Sequence, residues 1–154
     1  MKILKVVAGL VLILIPVLVV LAPIGPLPGV FIGGTNTPSP AQWPETKGVD
    51  EIRLKVPGTV PRVVIIWVVQ YEADLYVVGN SASGWVEMLG EGGPVAMRLE
   101  GNTYALTAER MSSGWEPVLQ AYVDKYRADY PDIVGGFPSM DEAKGLISVF
   151  KLSR

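Results

Sequence analysis

The 154-residue chain contains no cysteine and no histidine. Without cysteine there is no disulfide framework, no thiolate zinc site, no haem-attachment motif and no cysteine nucleophile. Without histidine the usual general base is missing. So are the Ser-His-Asp triad, histidine ligation of haem and most transition-metal sites. Charge is sparse too, with Asp, Glu, Lys and Arg at 18% of the residues. Lys2 and Lys5 are two of the 13 basic residues, which leaves 11 basic against 15 acidic groups in the remainder. A mildly acidic chain without a basic cluster is a poor nucleic-acid binder, because neutralising phosphates requires grouped Lys and Arg. No catalytic residue and no metal-ligand set is expected.

Aliphatic residues are present in excess. Residues 3–24 read ILKVVAGLVLILIPVLVVLAPI, with Lys5 the only charge. From Val6 about 19 uncharged residues follow, enough for a helix to cross a ~30 Å hydrocarbon core. Residues 1–24 are therefore predicted to form a transmembrane anchor helix, kinked at Pro16. A cleaved signal peptide is the competing reading. Val20 and Ala22 suit a cleavage site, but Pro23 after it disfavours the cut, and the apolar run exceeds a usual signal core. Lys2 and Lys5 put the N-terminus in the cytoplasm, which makes this a single-pass protein of the inner (cytoplasmic) membrane with a periplasmic or extracytoplasmic C-terminal domain. Residues 25–49, rich in proline and glycine, predict an extended tether. Phe31, Ile32 and Trp43 either rest at the lipid interface or pack on the domain.

Residues 50–154 suffice for one small domain. Ile52, Leu54 and Val56 alternate with Arg53 and Lys55, predicting a half-buried strand ended by Pro57-Gly58. Val63–Val69 is a continuous β-branched run, expected as a strand buried on both faces. A turn over Gln70–Asp74 and a strand over Leu75–Val78 follow. Val95–Leu99 and Thr103–Thr107 read as a hairpin around Glu100-Gly101-Asn102. Ser112 or Ser113 is expected to cap a helix with Pro117 in its first turn. Leu119, Tyr122, Val123, Tyr126 and Tyr130 form its apolar stripe, and Pro131 stops it. Leu146–Leu152 supplies the last strand. The pattern is mainly β with one or two helices, a small closed or nearly closed antiparallel barrel.

Several motifs in this order resemble the deazaflavin-dependent nitroreductase family, part of the split-barrel flavin-binding group related to pyridoxamine phosphate oxidase. They are the Leu75–Gly79 strand "LYVVG" and the Gly84-Trp85-Val86-x-x-Leu89 helical turn. With them go the hairpin "V-x-x-R-L-x-G-x-x-Y" from Val95 to Tyr104, the Tyr-x-x-x-Tyr helix and the closing "VFKL" at Val149–Leu152. The resemblance spans Arg53 to Leu152 and implies a small split β-barrel that holds FMN or a deazaflavin in a groove. It implies a phosphate near the loop Gly79–Trp85, so Arg62, Ser81, Ser83, Gly84 and Trp85 are the candidate cofactor-binding residues. Small residues let backbone N–H groups approach an anion, and the helix start adds positive potential. From the residues alone, the same loop reads rather as a hairpin-to-helix turn with Ser83 or Gly84 as N-cap.

Two departures bear on function. Where the family commonly has "W-x-[KR]-N-L", this chain has Glu87 and Met88 before Leu89, a carboxylate that repels phosphate and an apolar gap-filler. Basic residues around the first strands reduce to Arg53, Lys55 and Arg62. Trp67, Trp85 and Trp115 read either as an aromatic groove or as core. Asp141-Glu142 reads as a helix-turn feature, and Gly135–Pro138 as a connection or a lid. The expected function is a non-catalytic accessory subunit of a membrane complex, without cofactor. Its expected partners are the lipid bilayer and either an integral membrane protein or a second copy in a homodimer. The alternative is a flavin- or deazaflavin-dependent oxidoreductase at the membrane surface.

Overall fold

The computed structural model describes residues 23–154. Its strands are β1 (Thr35–Asn36), β2 (Glu51–Val56), β3 (Arg62–Tyr71), β4 (Asp74–Asn80), β5 (Gly92–Leu99), β6 (Asn102–Arg110) and β7 (Ile147–Ser153). Successive strand side chains point to opposite faces. Ile52, Leu54 and Val56 of β2 are therefore buried, whereas Glu51 is exposed and Arg53 and Lys55 half-buried. The inward positions Val68, Leu75, Val77, Val95, Met97, Leu106, Phe150 and Leu152 join them in one cluster. Burying each such side chain contributes about 1.5–3 kcal/mol, which offsets the ordering of the strands. The six long strands close in the order β2-β3-β4-β7-β6-β5, with every pairing antiparallel. Closure removes the free edges of an open sheet.

The hairpins are tighter than the composition suggested. Tyr71 pairs with Asp74, so the β3–β4 turn is Glu72-Ala73 alone, and Gln70, Tyr71 and Asp74 belong to strands. Leu99 pairs with Asn102 around Glu100-Gly101. Glu72 (φ 56°) and Glu100 (φ 54°) occupy the left-handed region that such two-residue turns demand.

Helix α1 (Gly84–Leu89) places Trp85, Val86 and Leu89 in one end of the barrel. Helix α2 (Glu116–Arg127) lays Val118, Leu119, Tyr122 and Tyr126 on the outer face of β3, β4 and β7, against Val69, Tyr76, Val78 and Val149. Neither Ser112 nor Ser113 caps it. Trp115 is the N-cap, and Pro117 lies in the first turn, where no amide hydrogen is needed. For the same reason Pro131, after ending the α2 stripe, opens a further short helix, α3 (Pro131–Gly135). Helix α4 (Met140–Ala143) begins with a capping box between Ser139 and Glu142.

The proline- and glycine-rich segment lies along the barrel as a strap. Gly29 exchanges two backbone hydrogen bonds with Val63, at 2.9 and 2.7 Å, on the stretch of β3 that β4 leaves unpaired. The Ile32 carbonyl accepts from Arg53 Nη1 (3.4 Å) and Arg98 Nη1 (3.2 Å), and Thr103 Oγ1 donates to the Gly33 carbonyl at 2.6 Å. β1 then pairs in parallel with the start of β6. Trp43, 4% exposed, closes the barrel end opposite α1, edge-on to Tyr104 at 5.1 Å. Of the residues assigned to either lipid or domain, Trp43 packs on the domain and Phe31 stays exposed. The transmembrane anchor expected over residues 1–24 falls almost wholly outside the described residues. Among those described, no helix is long and apolar enough to cross a membrane.

Candidate functional site

The loop leaving β4 is organised by Asn80. Its side-chain Oδ1 accepts from Ala82 N (2.8 Å), and its carbonyl accepts from Ser83 N (2.9 Å) and Ser83 Oγ (2.7 Å). Ser81 N donates to the Leu146 carbonyl at 2.8 Å, and the Ser83 carbonyl takes the amides of Val86 and Glu87 at 3.0 Å each. The small residues thus satisfy one another. The amides of Ala82 and Ser83 are committed inside the loop and that of Ser81 to Leu146, so none of the three is free for an anion.

The structure brings Arg62 to Gly84. Arg62 occupies an inward-facing position at the start of β3, level with the barrel mouth that α1 closes, and its guanidinium lies against Gly84. A Cβ on Gly84 would sit 2.5 Å from Nη1 and 3.2 Å from Cζ. Among the described residues Arg62 makes no ion pair. Trp85 is 7% exposed and packs 5.7 Å from Phe150, while the Gly79 beneath it has no room for a Cβ. Trp85 is a barrel plug, and no flat ring can lie on it. Trp67 is half-buried under α2, stacked on Tyr126 with centroids 4.1 Å apart, beside Tyr130 at 4.8 Å.

Ser81 turns toward a cation that the motif reading missed. Ser81 Oγ lies 2.9 Å from Ser148 Oγ, which accepts from Arg110 Nη2 at 2.5 Å, and Arg110 Nη1 reaches Glu91 Oε1 at 3.4 Å. The signal was available in the alternation of β6. Tyr104, Leu106 and Ala108 face inward, so Arg110 faces inward as well, at the mouth. A hollow of about 220 Å³ lies beside Arg110, Ser148 and Lys144. Arg62 lies against Gly84 at one end of the loop, and Arg110 reaches Ser81 at the other end only through Ser148. A flavin phosphate needs several convergent donors. The hydroxyls of Ser81 and Ser83 are engaged, Trp85 is enclosed and Glu87 is exposed on α1. Within one chain these residues do not fit the phosphate of a flavin or deazaflavin.

The largest cleft, about 800 Å³, lies elsewhere, between the strap and the end of α2, and includes Trp43, Glu45, Glu72, Asp124, Lys125 and Asp129. At its edge Lys125 Nζ donates to the carbonyls of Thr46 (3.0 Å), Val49 (2.7 Å) and Val68 (2.7 Å). Burial lowers the Lys125 pKa from its ordinary value, and the nearby Asp50 charge partly opposes this. Tyr126 Oη accepts from Val68 N (3.0 Å) and lies 2.7 Å from the Asp50 and Val68 carbonyls, while burial drives its pKa upward. These groups fasten strap, β3 and α2 together. A second pocket of about 290 Å³ between β4 and the helices includes Val78, Leu119, Tyr122 and Phe137.

No protein-family model matches the sequence. No curated protein matches it either. Among solved structures, the chain is similar to a NimC/NimA family protein from Clostridium acetobutylicum, at 20% identity and TM-score 0.48, over 66% of this chain and 72% of that one. It is also similar to HutZ, the haem storage protein from Vibrio cholerae, at 15% identity and TM-score 0.50, over 70% of this chain and 83% of that one. The closed six-stranded barrel and the likeness to HutZ give this chain a split-barrel fold.

Proposed function

We propose that the chain is a membrane-anchored accessory domain, a split barrel that works through its surface and holds no redox cofactor in the Ser81–Trp85 loop. The observation that carries this reading is the inward commitment of that loop. Both serine hydroxyls and three consecutive amides are satisfied internally, and Trp85 is spent on closing the barrel. On this reading residues 1–24 hold the domain at the outer face of the cytoplasmic membrane. The barrel then contributes binding surface to an integral membrane protein or to a second copy. Purification of the full-length protein from its own membrane in mild detergent, with mass analysis of whatever accompanies it, tests this. A defined complex without visible absorbance is expected. A monomer alone, or a chain carrying a stoichiometric chromophore, contradicts it.

A second reading is supported by the fold likeness to HutZ, named as a haem storage protein. Lacking histidine and cysteine, this chain would have to ligate a haem iron through Tyr, Met or Lys. A flavin would depend on Arg62 or Arg110 together with groups from a second subunit. Either would appear as a visible absorbance band in the same preparation.

A further inference from the structure

The pocket of about 290 Å³ lies between β4, α2 and the loop joining α3 to α4, and its lining includes Val78, Leu119, Tyr122, Phe137, Met140 and Ile147. None of its lining side chains is charged. A charged ligand would lose its hydration there with no counter-charge to replace it, so a neutral one is favoured. The volume falls at the lower end of the range for small-molecule sites, ~300–1,000 Å³, which suits one or two rings and not a nucleotide.

Tyr122 supplies the polar group. The residue is 6% exposed, and burial alone drives its pKa upward, with no hydrogen bond contributing. Tyr126, one turn on, spends its hydroxyl on the backbone of β3, whereas the Tyr122 hydroxyl bonds nothing among the described residues. Among those residues the side-chain polar atom sealed from solvent without a partner is Trp43 Nε1. The Tyr122 hydroxyl is therefore unbonded without being sealed, which leaves it open to the pocket that its residue lines. An unmet hydroxyl in so buried a residue is a cost that a ligand atom can offset. Asn80, the other polar side chain of the lining, is exposed, with its Oδ1 taken by Ala82 N. The Phe137 ring lies 6.2 Å from that of Tyr122 and 25° from parallel, an aromatic wall that favours a ring as occupant. That wall can yield, because the amides of Gly136 and Phe137 bond only the Ile133 and Val134 carbonyls, both at 3.1 Å, and not the barrel. We propose that this pocket binds a small, neutral, largely apolar molecule of one or two rings, with an acceptor such as a carbonyl held by the Tyr122 hydroxyl. The site is separate from the Ser81–Trp85 loop and does not depend on membrane attachment.

Fluorine NMR of para-fluoroacetophenone, titrated into the full-length protein in mild detergent, tests this. The carbonyl-free para-fluoroethylbenzene, and detergent without protein, are run beside it. The ketone should bind saturably, about 2–10-fold tighter than the hydrocarbon, as one net hydrogen bond allows. Tyr122→Phe should erase that preference while leaving hydrocarbon binding and the urea midpoint unchanged, since the hydroxyl it removes bonds nothing in the protein. Val123→Trp, which fills the pocket from a half-buried position on α2, should abolish binding of both probes. No saturation beyond that of the detergent, or binding that Val123→Trp leaves intact, overturns the site. A ketone bound no tighter than the hydrocarbon, or a preference that survives in Tyr122→Phe, overturns the role of the hydroxyl. Should Val123→Trp not fold, the Tyr122→Phe comparison alone decides between the same outcomes.

Discussion

Tyr126 shows what one hydroxyl does in this barrel. It accepts from one strand amide and lies within bonding distance of two carbonyls, joining α2 to β3 and to Asp50. Tyr126→Phe strips a buried amide of its partner, so a loss of about 1–3 kcal/mol is expected in urea denaturation. Gly79→Ala forces a methyl group into the Trp85 indole and should cost about 1–3 kcal/mol by overpacking. Ser83→Ala, in contrast, removes only a hydroxyl bonded to the Asn80 carbonyl in a partly open loop. A loss of no more than about 1 kcal/mol is expected, with no change in ligand affinity. A large affinity change for any phosphate-bearing ligand in this variant would return Ser83 to a binding role.

At the scale of elements, the strap is where composition misled most. Proline and glycine rule out a helix, and that part of the reading holds, but they do not rule out docking. The Gly29, Ile32 and Gly33 carbonyls find donors on the barrel, and Trp43 finds a hole. Trp43→Ala should cost about 3–5 kcal/mol, as in other buried-aromatic truncations. Trp43→Phe should cost far less, because it keeps a plug and deletes a buried N–H with no partner among the described residues. Equal losses in the two variants would mean that the indole is not a packing element. Between the paired strands β4 and β7, Lys151 Nζ bonds Asp74 Oδ2 at 2.6 Å, which raises the lysine pKa above 10.5. A raised lysine contributes stability that is complete below its unfolded value and disappears as pH climbs through the folded one. The urea midpoint should therefore fall above about pH 10.5 more steeply in the wild type than in Asp74→Asn.

Strand positions were legible because alternation is local. Ile52, Leu54 and Val56 announced their inward face without reference to the rest of the chain. The ends of β3 and β4 were not, since Gln70, Tyr71 and Asp74 are polar or ambiguous and pair only because the barrel needs two-residue turns there. The candidate site was legible as a loop but not as a geometry. Arg62 and Gly84, 22 residues apart, meet only because β3 and α1 share one mouth of the barrel. That Ser81 would bond Ser148 depends on β7, 67 residues away, which no local pattern encodes.

At the scale of the whole molecule, the described residues carry their acidic groups asymmetrically. An acidic cleft lies at the Trp43 end, bordered by Glu45, Glu72, Asp124 and Asp129. Such a body suits a domain that works by where it sits, whereas an enzyme of this fold would need a polar cradle for its cofactor. The two split most cleanly on cofactor binding. Full-length protein in detergent is titrated with FMN and, separately, with haemin, following absorbance and fluorescence quenching against an Arg62→Ala, Arg110→Ala double variant. Weak, non-saturating responses that the double variant leaves unchanged are expected if the barrel holds no cofactor. Saturable one-to-one binding of either ligand, abolished in the double variant, would contradict that and make this barrel a cofactor-binding domain.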